Sequence, residues 1–311
     1  MGSPLLACAC LRALLESGRD TVAAAVTQPD RPKGRRLQPS PCAVKALAEQ
    51  SGLQVLTPQD VNSPESVEKI RALAPDLITV AAYGRILRDA VLDLPPLGCI
   101  NMHASLLPRY RGAAPIQWAL ANGEETTGVT SMYMSQRMDA GDIIFQQSLA
   151  ILPGDTAASL HDRIAGLAAD VLLETLDAVR AGTAPRIPQR DEDATFAPKL
   201  TKADGRIDWT LPALKIHNRV RGFNPWPGVF CVEPRGGSGT LRILRTEVVE
   251  LPASAEAAAP GEIVDPGRDG PLVRTGVGGL RLIEVQPAGG KVMGGSAYLH
   301  GHKLAVGDRF E

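Results

Sequence analysis

Residues 99 to 120 read CINMHASLLPRYRGAAPIQWAL. The apolar run Cys99 to Met102 carries Asn101, and His103 follows two positions on. Residues i and i+2 of a strand point to one face, so a strand here brings the Asn101 amide and the His103 imidazole to one spot. An amide donates to a developing oxyanion, and an imidazole titrates near neutrality. Such a pair needs a carboxylate to orient the ring and favour its cation. The stretch MDAGDI offers one in Asp139 or Asp142, on either side of Gly141. The segment SLLPRYRGAAP between the two sites holds two prolines and two arginines, which suits a stiff loop.

The elements that must position these groups are legible as alternating patterns. PLLACACLRALLESG has helical spacing and stops at Gly18, TVAAAVT (21–27) reads as a strand, and VKALAEQSG (44–52) as a helix. LQVL (53–56) reads as a short strand, and Ser63 with Pro64 opens the next helix. DLITVAA (76–82) is a continuous apolar run of the kind covered on both faces. GCINM, the helix PIQWALANG, the strand GVTSMYM and the helix 156–182 complete the set. The alternation predicts a parallel α/β, Rossmann-like sheet with Asn101 and His103 at the carboxyl end of a strand, where such sheets place their ligands. The chain goes from Met-Gly-Ser-Pro straight into a helix, so the usual first strand of this sheet type is missing. That predicts low stability for 1–311 and a longer, upstream-extended product.

After residue 182 a polar, proline-bearing connection follows, and beyond it short β-rich runs broken by glycines predict a small all-β barrel or sandwich. The domains expected are 1–182 (catalytic), 183–203 (linker) and 204–311 (β domain). PASAEAAAPG (252–261) reads as a flexible surface loop, and Phe223 and Trp226 of FNPWPG as packing residues at a domain contact. Formal net charge is −1, so composition announces no nucleic-acid partner. The five cysteines have no metal-ligand spacing and read as reduced thiols. No apolar stretch is long enough to span a membrane and no secretory leader is evident, which places the protein in the cytoplasm. A nicotinamide enzyme is disfavoured, because the G-x-G-x-x-G turn expected after a first strand is absent.

Several separate stretches resemble the folate-dependent formyltransferases: TQPDRPKGRRLQPSP, AAYGRIL, LGCINMHASLLPRYRGAAPIQ, TGVTSMYM, MDAGDI, KLTKADGRIDW, FNPWPG and VQPAGG. They occur in order over nearly the whole chain. The wording RGAAPIQ and the basic loop DRPKGRR are most similar to the branch that acts on the methionine carried by initiator tRNA. The resemblance implies transfer of the formyl group of 10-formyltetrahydrofolate, a co-substrate, to that methionine's α-amine, with no metal. It places Asn101, His103 and Asp139 on the catalytic positions and Ser105, Leu106, Leu107 and Pro108 on the folate-contacting loop. Arg31, Lys33, Arg35 and Arg36 fall on the tRNA-engaging loop, with Arg35 the best match. It further implies an OB-like barrel that assists tRNA binding, and a monomer. Relatives acting on sugar nucleotides, or hydrolysing the donor, are the alternatives; a non-catalytic RNA-binding protein is a remoter one.

Overall fold

The structure, a computed structural model, describes residues 1–33, 38–234 and 239–311. The chain forms two compact units. The first comprises Met1–Pro115, Thr126–Ala150 and Leu160–Pro198; the second comprises Ile116–Glu125, Ile151–Ser159 and Lys199–Glu311.

In the first unit, helix Leu5–Ser17 ends at Gly18 in the left-handed conformation (φ 60), as its sequence predicts. Helix Ala43–Gln50 starts under the Cys42 thiol, and helix Pro64–Arg71 under the Ser63 side chain. A four-stranded sheet has the order Ile78–Ala81, Cys99–His103, Thr126–Tyr133, Ile143–Ala150. Its first two strands run parallel and the other two pairings are antiparallel, which corrects the all-parallel sheet expected. The last two strands are joined by a loop with no helix between them, a connection that can only make an antiparallel pair. Helix Pro115–Asn122, roughly 12 Å long, lies between Cys99–His103 and Thr126–Tyr133, which pair antiparallel, so the chain re-enters the sheet at the end from which it left. Its residues 116–122 belong to the second unit, where Trp118 meets Phe223 edge-on at 5.3 Å.

The expected strand 21–27 shrinks to Ala25–Val26, paired in parallel with Val55–Leu56. On its other side lie Met1 and Gly2. Gly2 N donates to Val26 O, and Ala81 N donates to Met1 O. The sheet is thus in two pieces, joined by two residues over a small cavity of about 60 Å³ lined by Gly2, Cys10, Val26, Val80 and Met102 among others. Val26, Ile78, Val80, Tyr83 and Val91 form the core on this side. Burial pushes the Cys10 and Cys99 thiols up to about 12, so both stay protonated. No helix among the described residues is long and apolar enough to cross a membrane.

The second unit carries an antiparallel sheet in the order Val229–Val232, Thr240–Val249, Gly279–Pro287, Leu272–Arg274, Ile263–Asp265, with Met293–Gly294 paired to Gly279–Pro287. Among the described residues this order is an open path. Register shifts at Ile243, Arg245 and Thr246 kink the longest strand. Cys231, Leu241, Ile243, Leu282 and Val285 are fully buried beneath helix Ala213–Phe223. Two local expectations change. Trp226 is 56% exposed, so only Phe223 of FNPWPG packs, and the stretch 252–261 holds a short 3₁₀ turn whose Ala255 is buried.

Candidate active site

Strand Cys99–His103 is buried along its whole length, and it brings Asn101 (9% exposed) and His103 (6%) to one face. The Asn101 carboxamide is engaged by no other group among the described residues. His103, by contrast, is held at both ends. Its Nε2 lies 3.0 Å from the carbonyl of Tyr110, and its Nδ1 faces Asp139 Oδ2 at 3.7 Å. Tyr110 presents that carbonyl because its backbone is left-handed (φ 60), a conformation that costs a non-glycine residue energy and persists only where the surroundings impose it. The ring is thereby fixed in place and orientation, its Nε2 donating to a carbonyl and its Nδ1 turned to a carboxylate.

Asp139 is set by its own loop. It too is left-handed (φ 51), which aspartate tolerates, and its Oδ2 accepts from Gly112 N at 2.9 Å. Gly112 makes that bond at φ 126, and a β-carbon there would stand 2.5 Å from the Ala197 carbonyl, so only glycine fits. Gly141 is under a similar constraint: a β-carbon would meet the Tyr133 carbonyl at 1.9 Å. Of the two carboxylates in MDAGDI, Asp139 therefore faces the imidazole, while Asp142 is 38% exposed and lies 3.8 Å from Arg186.

The loop after His103 is fixed from beneath by one hydroxyl. Thr130 Oγ1 donates to Ser105 O (2.7 Å) and accepts from Leu107 N (3.1 Å) and from Gln146 Nε2 (2.9 Å). Ser105 and Leu107 consequently turn inward and are buried, whereas Leu106 and Pro108 keep some exposed surface. Thr130→Val keeps the shape of the side chain but leaves the buried Leu107 N–H unpaired. It should cost about 2 kcal/mol. The expected reading is an unfolding midpoint of the first unit about 5 °C lower by calorimetry.

The other wall comes from the stretch 183–198, read in the sequence as a polar connection. Phe196–Ala197 pairs in parallel with Arg111–Gly112, Thr195 Oγ1 accepts from Tyr110 N, and Thr195 O accepts from Arg111 N. The buried Arg111 guanidinium reaches Asp191 at 2.9 Å and Gln189 Oε1 at 2.8 Å. Hydrogen bonds from Arg137 and then Arg111 hold the Asp191 carboxyl below the usual carboxylate range. Beyond the carboxyl end of strand Ile78–Ala81, which lies beside the Asn101 strand, Gln59, Asp60, Asn62, Gly84, Arg85 and Arg88 line a cleft of about 340 Å³.

Arg31 and Lys33 lie in a small hairpin, Arg31–Lys33 against Gln38–Ser40, with Arg31 opposite Ser40 and Lys33 opposite Gln38. Arg35 and Arg36 lie outside the described residues. Sequence reasoning missed Tyr110, Thr130 and Gln189. For Thr130 a signal exists: Thr130 and Ser131 are hydroxyls set between the apolar Val129 and Met132 of one strand, and buried hydroxyls must find partners.

Comparison with known proteins settles the family. Residues 1–176 match the formyl transferase family and residues 199–303 match the formyl transferase C-terminal domain. The chain belongs to the formyltransferase family. Among relatives of this formyltransferase, the methionyl-tRNA formyltransferase of Geobacter sulfurreducens is 46% identical over 99% of this chain and 95% of its own length. That of Moorella thermoacetica is 46% identical, over 99% and 97%. Solved structures share the fold at lower identity. An N-formyltransferase from Helicobacter canadensis, solved with folinic acid and dTDP-3-aminofucose, aligns with TM-score 0.64 at 16% identity over 90% of this chain and 95% of that one. HypX from Aquifex aeolicus, solved with tetrahydrofolic acid, aligns with TM-score 0.57 at 20% identity, over 83% of this formyltransferase and 44% of that chain.

Proposed function

We propose that the protein transfers the formyl group of 10-formyltetrahydrofolate to the α-amine of methionine on initiator tRNA, and that Asn101, His103 and Asp139 carry the reaction. One observation supports this above all. A carboxamide with no hydrogen-bond partner among the described residues and an imidazole held between a carbonyl and a carboxylate share one face of a strand end. The full-length relatives, named methionyl-tRNA formyltransferases, supply the acceptor.

The chemistry follows from the groups. The amine nitrogen attacks the formyl carbon, and negative charge builds on the formyl oxygen. Asn101 Nδ2 donates to that oxygen, joined by the Nδ1–H of a protonated His103, which at 3.7 Å from Asp139 Oδ2 is not committed to a hydrogen bond there. Asp139 sustains the cation and, through water, takes a proton from the amine. The carbon–nitrogen bond to the folate then breaks as its nitrogen takes up a proton. The folate loop is Ser105, Leu106, Leu107 and Pro108, in which the buried Ser105 and Leu107 anchor and Leu106 and Pro108 face the donor. The neighbouring cleft, with Ile86 exposed at 72% and Arg85 and Arg88 on its wall, suits a flat ring system with a carboxylate tail.

In this reading residues 1–182 are catalytic, 183–203 connect, and 204–311 form an OB-like barrel that helps bind tRNA; the kinked long strand is the kind that curls a sheet towards closure. The protein acts as a cytoplasmic monomer. Arg31, Lys33, Arg35 and Arg36 engage tRNA phosphates. Arg35→Ala should weaken tRNA binding, lower the slope of log affinity on log salt by about one, and leave the KM for the folate donor unchanged. Filter binding at several salt concentrations reads this directly. The acceptor is tested by competition: charged initiator tRNA should be formylated in the presence of an excess of a dTDP-aminosugar, and preferential formylation of the sugar would overturn the assignment.

A further inference from the structure

We infer that Gln189 is a positioning residue for formyl transfer, setting the carboxylate of Asp139 against His103. The inference rests on the function proposed above. Gln189 sits in the exposed run around Arg186 to Arg190, yet its own side chain is partly buried and uses all its polar capacity. Its Nε2 donates to Asp139 O at 3.0 Å and to Gly141 O at 2.8 Å. Its Oε1 accepts from Arg111 Nε at 3.1 Å and Nη2 at 2.8 Å.

These bonds close a ring. Gln189 ties the Asp139 backbone to Arg111, and the next residue, Gly112, donates its N–H to the Asp139 carboxylate. The carboxylate is thus gripped at its side chain by one end of the Arg111–Gly112 pair, while its backbone is referred to the other end. The chain is brought to this place by Ile187, which exchanges two backbone bonds with Ile143, the residue just after the MDAGD loop. Asp139 has a left-handed backbone and sits on a loop with no ladder of its own, so the amide of Gln189 does for it what strand pairing does elsewhere. The Nδ1 to Oδ2 separation of 3.7 Å leaves little room for drift before the pair ceases to interact.

Two variants test this. Gln189→Met keeps the length and removes every hydrogen bond. Gln189→Glu keeps the acceptor for Arg111 and turns the two bonds to the Asp139 loop into contacts between a charged oxygen and two carbonyls, so it acts on the Asp139 loop while sparing Arg111. Both should lower kcat about tenfold to a hundredfold, with KM for the donor and for charged tRNA changed less than about twofold. A group acting through Asp139 has no further effect once Asp139 is gone, so Asp139→Asn,Gln189→Glu should be as slow as Asp139→Asn alone. Normal kcat in Gln189→Glu, or multiplicative losses in the double variant, would overturn the inference. Should Gln189→Met not fold, Gln189→Glu decides. The intact protein run beside them separates the two claims: if it fails to formylate tRNA the function falls, and if it works while the Gln189→Glu variant matches it, only this inference falls.

Discussion

Asn101→Ala lowers kcat for formyl transfer by about a hundredfold or more, as loss of one oxyanion donor does elsewhere, near 3 kcal/mol of barrier. The protein stays folded. Among the described residues the Asn101 carboxamide satisfies no other group, so cutting it back orphans no donor or acceptor there, and a calorimetric midpoint equal to or above that of the intact chain is expected. That combination, a buried polar side chain whose removal harms turnover and spares stability, distinguishes a site residue from a core residue. His103→Ala should lose turnover to a similar degree but also some stability, about 1 kcal/mol, because Tyr110 O and Asp139 both lose a partner. KM for the donor is expected to change little in either variant, since both groups act on charge that develops during the reaction.

Asp139→Asn removes a charge while keeping the architecture. Asparagine tolerates the left-handed backbone at this position, and its side-chain oxygen can still accept from Gly112 N. What it cannot do is set a negative charge beside His103 Nδ1 or take a proton. Turnover should therefore fall about a hundredfold to a thousandfold, with folding intact by circular dichroism. Asp139→Ala confounds this by adding backbone strain of roughly 1 to 2 kcal/mol, which makes the asparagine variant the informative one. A nearly active Asp139→Asn variant would mean that position 139 serves only as a hydrogen-bond acceptor for the loop.

Much of this site was legible in the sequence because it depends on local spacing. Two residues apart on a strand share a face whatever the rest of the chain does, which is why Asn101 and His103 could be paired before any fold was known. The capped helices at Ser63 and Gly18 were legible for the same reason. Sheet direction was not, because whether helix Pro115–Asn122 carries the chain back over the sheet depends on what its Trp118 packs against, here Phe223, more than a hundred residues away. Nor was the grip on Asp139. Gln189, Thr195 and Asp191 lie in a stretch whose composition is that of any polar linker, and their roles exist only once Phe196–Ala197 pairs with Arg111–Gly112.

The central claim is tested most directly by single-turnover transfer of radiolabelled formyl from 10-formyltetrahydrofolate to charged initiator tRNA, with the intact chain and the Asn101→Ala variant side by side. Formylmethionyl-tRNA should appear rapidly with the intact chain, and about a hundredfold more slowly with the variant at unchanged folding. Equal rates for the two, or no transfer by a folded intact chain, would contradict it.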